Sequence, residues 1–89
     1  MIRRKVAIRN RLGLHARAAA RFVHVANRFQ SKITATRNGR SMDGKSILGI
    51  LLLAASQGAE LELCAEGDDE AEAIAALAAL VESGFGEEA

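Results

Sequence analysis

The chain has 89 residues, a net charge of +1, 49% hydrophobic residues and no proline. That length makes one domain, residues 1–89, with enough apolar content to build a core without disulfides or metals. One cysteine, Cys64, excludes an internal disulfide and fits a reducing, cytoplasmic setting. No targeting segment is read at Met1–Lys5, and the longest apolar run, Ile47 to Ala55 around Gly49, is too short to span a membrane. The charge is unevenly divided. All twelve Lys and Arg lie within residues 3–45, and ten of the eleven Asp and Glu lie within residues 60–88. Such asymmetry fits either a nucleic-acid face or two halves that pair inside one sheet, and the second is the simpler reading.

In chain order, Arg4 to Arg9 alternates, with Ile2, Val6 and Ile8 on one side, as a half-buried strand does. Asn10 to Leu14 reads as a loop carrying Gly13. From Ala16 the period changes, and Ala19, Phe22, Val23 and Ala26 form a helical stripe with Arg17, Arg21, His24 and Arg28 on the wet side. The helix is expected to end near Asn27–Arg28, with Phe29 packing back on the core. Lys32 to Arg37 is a β-branched second strand. Asn38-Gly39 is a two-residue hairpin signal, because both positions tolerate positive φ, and Arg40 to Asp43 returns as a third strand. Ser46 is the natural N-cap of a short apolar helix, Ile47 to about Leu53.

Gln57-Gly58 is a turn. Ala59 to Glu66 alternates strictly, with Leu61, Leu63 and Ala65 on one side and Glu60, Glu62, Cys64 and Glu66 on the other. If this fourth strand lies beside the first, its acids face Arg3, Lys5 and Arg9. Asp69 with Glu72 resembles a capping box ahead of a last helix whose buried stripe is Ala73, Ile74, Leu77, Leu80 and Val81. Gly84 is the expected C′ residue, and Phe85 to Ala89 is expected to fray. The order β-α-β-β-α-β-α describes an α+β open-faced sandwich: helices cover one face of an antiparallel sheet and solvent wets the other.

The chemistry gathers at Gly13-Leu14-His15-Ala16-Arg17. A helix N-terminus presents unpaired N–H groups and partial positive charge, which makes it an anion site. A neutral imidazole placed there is a nucleophile. Two readings fit these five residues: a histidine that accepts a phosphoryl group while Arg17 and the amides of Ala16 and Ala18 hold its oxygens, or a histidine that merely begins a helix. Around Ile47, Leu48 and Leu51 the helix is apolar almost all round. It fits a partner surface, or else all its leucines are core. His15, His24 and Cys64 lack metal-ligand spacing, so no metal is expected. No nucleotide-binding loop is present, and no cofactor is expected. Three Phe without Tyr or Trp give no stacking platform for nucleic acid.

The chain closely resembles the HPr family, the histidine-containing phosphocarriers of the bacterial phosphoenolpyruvate-dependent phosphotransferase system. The resemblance covers nearly the whole chain. It rests on Gly13-Leu14-His15-Ala16-Arg17 and on Lys45-Ser46-Ile47, supported by the turns at Asn38-Gly39 and Gly67-Asp68-Asp69-Glu70. It implies an HPr-like four-stranded antiparallel sheet of order 1-4-2-3 with three helices on one face. It also implies a phosphocarrier rather than a classical enzyme: His15 takes a phosphoryl group on Nδ1 from phosphorylated enzyme I and passes it to the A components of sugar permeases.

By the same resemblance Arg17 contacts the phosphoryl oxygens, and Ser46 is the target of HPr kinase/phosphorylase where that enzyme exists. Ile47, Leu48 and Leu51, with Ala20, Arg21 and His24, dock partners. The chain is expected to be a cytoplasmic monomer that neither binds nucleic acid nor enters membranes. The alternative is a regulatory or nitrogen-branch relative with little role in sugar uptake. Two positions depart from the family pattern. Ala18 stands where proline usually follows the arginine, and Leu12 stands where Asn or Ser is common and helps to orient the imidazole.

Overall fold

The computed structural model describes residues 1–87. Its elements are β1 (Ile2–Ala7), α1 (Ala16–Ala26), β2 (Lys32–Arg37), β3 (Arg40–Asp43), α2 (Ile47–Leu52), β4 (Glu60–Glu66) and α3 (Glu70–Glu82). A one-turn 3₁₀ helix, Gly84–Gly86, follows α3. The strands form one antiparallel sheet in the order β1-β4-β2-β3, as the resemblance implies. The last strand added in sequence is therefore central, bonded on both sides.

The period-2 pattern of β4 accounts for the sheet's two faces. Leu61, Leu63 and Ala65 are buried, and across the ladders they meet Val6, Ile33 and Ala35. Phe22, Ala18, Ala19 and Ala26 of α1 and Ala73, Ile74, Leu77, Ala78 and Val81 of α3 close over this face. So many alanines let the helices lie close to the sheet, and the larger side chains fill the space between. Leu80, expected in the buried stripe, is only partly buried. The hairpin is as expected: Asn38 and Gly39 have φ of 51° and 79°, and Arg37 pairs with Arg40. Ser46 caps α2, its hydroxyl accepting from the Gly49 N–H at 3.0 Å.

Three expectations are corrected. First, of Arg3, Lys5 and Arg9, only Lys5 faces an acid across the β1–β4 ladder, Glu62. Arg3 opposes Cys64, and Arg9 lies beyond the strand. The basic and acidic halves also meet through α3, where Arg4 pairs with Glu82 at 3.1 Å and the N-terminal amine pairs with Glu70 at 2.9 Å. These contacts are solvent-exposed and individually weak.

Second, no capping box forms at α3. Asp69 is the N-cap residue but makes no side-chain cap bond. Its carboxylate instead accepts from the main-chain N–H groups of Gln30 (2.8 Å) and Ser31 (3.0 Å) and from the Ser31 hydroxyl. It ties the start of α3 to the loop before β2. The local three-residue spacing loses to Gln30 and Ser31, 39 and 38 residues away, which together offer three donors.

Third, the tail does not fray at its beginning. Gly84 turns the chain with φ of 69°, as a C′ glycine does, but Phe85 then enters the core and is 1% exposed. Phe85 adopts φ 58°, ψ 24°. That left-handed conformation costs a bulky residue roughly 1–2 kcal/mol, and burying the ring offsets it by about 1.5–3 kcal/mol. Of the expected frayed segment, residues 88–89 lie outside the described residues.

Two predictions concern these ties. The Ser31 hydroxyl and then the Gln30 amide hold the Asp69 carboxyl below its ordinary value of 3.8. A depressed carboxylate stabilises the fold above its unfolded value and ceases to as pH falls through the folded one. Asp69→Asn is therefore expected to lower the melting temperature at neutral pH, with the deficit shrinking as pH drops below 3.8; a pH series of thermal melts measures it. The second concerns Gly13, which has φ of 68°, and a Cβ there would lie 2.5 Å from the Ala55 carbonyl oxygen. Gly13→Ala combines backbone strain with that clash and is expected to cost at least about 1–3 kcal/mol in denaturant unfolding.

Candidate functional site

The loop between β1 and α1 is held from below and from the side. Leu14 is buried, and its N–H donates to the Ala55 carbonyl at 2.9 Å. Gly13 bends the chain over that contact. Asn10, 2% exposed, donates from its amide to the Gly13 carbonyl at 2.7 Å. His15 is thereby delivered to the N-cap position of α1 in extended conformation, φ −77° and ψ 177°. The first main-chain bond of the helix runs from the Ala19 N–H to the His15 carbonyl, 2.9 Å. The N–H groups of Ala16, Arg17 and Ala18 therefore precede the helical ladder.

The imidazole uses both nitrogens. Nδ1 accepts from the Arg17 main-chain N–H at 3.2 Å, the bond an N-cap side chain makes. Nε2 lies 2.5 Å from a Glu87 carboxylate oxygen, and the His15 side chain is 27% exposed. An accepting Nδ1 and a carboxylate-facing Nε2 place the proton of the neutral ring on Nε2 and leave the lone pair on Nδ1. The unprotonated nitrogen thus faces the helix mouth. The second oxygen of Glu87 accepts from the Asn10 amide at 2.9 Å. Burial alone would raise the Glu87 pKa, but bonds from Asn10 and His15 outweigh it and hold the group below the ordinary value of 4.5. The carboxylate is charged at neutral pH.

Arg17 is exposed at the same mouth, and its guanidinium makes no hydrogen bond or ion pair among the described residues. It lines a groove with Ala20, Arg21, His24, Val25, Arg28 and Leu80. Four basic or imidazole side chains surround an apolar floor there, which suits an acidic partner surface. Arg21 is turned to another task, donating to the Phe85 carbonyl. Ala18, expected to contribute only its amide, is fully buried and also packs in the core.

The short helix α2 packs beside α1. Ile47, Leu48 and Leu52 are 45%, 67% and 50% exposed, whereas Leu51 is partly buried against the core. Of the expected trio Leu51 is the least exposed, and Leu52 beside it adds to the exposed patch. Leu51 lies four residues after Ile47, on the same side of the helix. Just after Leu52 the helix ends at the Leu53 C-cap and the chain turns at Ala54, φ 50°. Leu12 is 69% exposed and points to solvent. Among the described residues no cluster of potential metal ligands is present, and no helix is long and apolar enough to cross a membrane.

Two residues of this site escape a reading of the sequence, Asn10 and Glu87. Asn10 follows a strand and looks like loop, and Glu87 belongs to an acidic tail. The available signal was Phe85, one of three aromatics, between two glycines: a bulky apolar residue there must be buried, and burying it brings Glu87 back to the loop.

The family model described as "PTS HPr component phosphorylation site" matches residues 2–83. Phosphocarrier protein HPr of Cupriavidus necator is 47% identical over 87 residues, covering 98% of each chain. HPr-like protein Crh of Bacillus subtilis is 46% identical over 82 residues, covering 92% of this chain and 96% of its own. The crystal structure of HPr-C-His from Thermoanaerobacter tengcongensis superposes with a TM-score of 0.96 at 49% identity, covering all of both chains. With its fold, its length and its histidine-bearing segment all accounted for in this way, the chain belongs to the HPr family of phosphocarriers of the phosphotransferase system.

Proposed function

We propose that His15 is the phosphoryl acceptor, taking the group on Nδ1 from phosphorylated enzyme I and passing it to the A components of sugar permeases. The observation that carries this reading is the bond from the Arg17 N–H to Nδ1, which sets an unprotonated ring nitrogen at an anion-binding helix end. When Nδ1 attacks phosphorus, that N–H is released to an incoming oxygen, and the Ala16 and Ala18 amides and the Arg17 guanidinium stand beside it. One arginine and a few amides hold a phosphoryl group without trapping it, which a carrier requires. The basic groove beside Ala20, Arg21 and His24, with Ile47, Leu48 and Leu51 and the neighbouring exposed Leu52, is the docking surface for acidic partners in this proposal. The cytoplasmic setting is part of it and agrees with the free thiol of Cys64.

Ser46 is the proposed regulatory site, a target of HPr kinase/phosphorylase. Its hydroxyl caps α2 next to the exposed apolar patch. A phosphate at a helix N-terminus is tolerated electrostatically, so the fold persists. The added charge of about −2 meets an acidic partner and weakens its approach.

Incubation with enzyme I and labelled phosphoenolpyruvate tests the carrier reading. The native protein is expected to take an acid-labile label that His15→Ala loses completely; retention of label in the variant removes His15 from the role. With the kinase and ATP an acid-stable label is expected that Ser46→Ala abolishes. Ser46→Asp is expected to slow transfer from enzyme I about tenfold, the equivalent of about 1.4 kcal/mol, while leaving the thermal melt nearly unchanged. Stopped-flow transfer and calorimetry supply the two numbers.

A further inference from the structure

The tail segment that carries Glu87 back to the loop is heavily anchored. Phe85 is buried in the core, and the Arg21 guanidinium grips its carbonyl from α1. Asn10 then joins the tail to the loop, with one amide nitrogen donating both to the Gly13 carbonyl (2.7 Å) and to Glu87 (2.9 Å). Two oxygen partners fix the orientation of that amide. The other oxygen of Glu87 ends 2.5 Å from Nε2 of His15, and the Glu87 side chain is only 16% exposed. A carboxylate in so sheltered a position opposes the ring nitrogen that does not react.

From this geometry we infer that Glu87 is a positioning residue for phosphoryl transfer: it holds the imidazole as the Nε2–H tautomer and stabilises the positive charge the ring acquires when Nδ1 is phosphorylated. The inference rests on His15 being the acceptor. The balance of the step explains why a carboxylate matters. The Nδ1 lone pair forms the new N–P bond while the P–N bond of a phosphohistidine donor breaks, and that pair departs on the donor nitrogen. No proton leaves His15, so a neutral ring becomes an N-phosphorylated imidazolium with its proton still on Nε2. That proton is the one directed at Glu87. A carboxylate that orients an imidazole and stabilises its cation acts as the acid member of a Ser-His-Asp triad does. In a partly sheltered site the charge interaction is stronger than in water. Glu87 thus favours loading and biases the equilibrium towards the loaded carrier, while discharge to an acceptor gains no acceleration from it.

Phosphoramidate, a small P–N donor that loses ammonia, reads the nucleophile without any docking surface. Enzyme I with phosphoenolpyruvate reads the complete reaction. With both donors Glu87→Gln, which keeps the size and removes the charge, is expected to be phosphorylated about tenfold more slowly than the native protein. Its transfer equilibrium with enzyme I is expected to shift towards the donor by a similar factor, about 1.4 kcal/mol by the same conversion. Proton–nitrogen NMR of the native protein is expected to show a slowly exchanging, downfield Nε2–H signal for His15, and Glu87→Ala is expected to lose it with the circular dichroism spectrum unchanged. Rates within twofold of native for Glu87→Gln, faster phosphorylation of it, or a native protein lacking the Nε2–H signal each overturn the role of Glu87 while the label on native His15 upholds the carrier reading. Absence of label on the native protein from either donor overturns the carrier reading itself, and this inference with it.

Discussion

The hydrogen bond from the Leu14 N–H to the Ala55 carbonyl is the constraint on which the working end of this molecule depends. It fastens the segment before α1 to the segment after α2, which are also joined by the Ile8 N–H to the Ala59 carbonyl and the Gly58 N–H to the Ile8 carbonyl, both 2.8 Å. Gly13 must lie flat against Ala55 for the bond to form, and Leu14 must be buried beside it. Once both are in place, the next residue, His15, has nowhere to go but the N-cap of α1. The same bond fixes α2 relative to α1, so the imidazole, the basic groove and the apolar patch share one end of the molecule. Ala54 adopts φ of 50° to make the turn that presents the Ala55 carbonyl. That departure from ordinary alanine geometry costs roughly 1–2 kcal/mol, and the tie it permits offsets it.

The sheet supports this end from beneath. With β4 central, the chain's acidic half lies between two strands of its basic half. The uneven charge of the sequence is thereby largely internal to the fold: Lys5 lies across from Glu62, Lys32 from Glu66, and Arg4 reaches Glu82. The row of Arg17, Arg21, His24 and Arg28 along α1 lies outside the sheet and forms no ion pair among the described residues. Those charges remain at the site end, where an anionic group and acidic partners are proposed to arrive.

Local patterns were legible wherever one element's own periodicity or turn chemistry decided the outcome. The alternation of Leu61, Leu63 and Ala65, the stripe of Ala19, Phe22, Val23 and Ala26, the Asn38-Gly39 turn and the Ser46 cap all appear as the residues dictate. The patterns misread were those in which a distant partner outbid a near one. Asp69 leaves Glu72 alone and bonds the loop before β2. Phe85 looks like the start of a loose tail until a space for it exists between α1, α3 and the sheet.

By itself the sequence determined the strands and helices, their order, the capped histidine ahead of α1 and the capped serine ahead of α2. Each follows from spacing along a few consecutive residues, where the backbone geometry is the whole cause. The family likeness added the strand order, which no local pattern contains. Only the tertiary structure decided which group faces Nε2 of His15, the Glu87 carboxylate 2.5 Å away. That choice needs Asn10, Arg21, Phe85 and Glu87 together, residues up to 77 positions apart. A carboxylate near the end of a chain has no preferred partner until the core has taken the phenyl ring two residues before it.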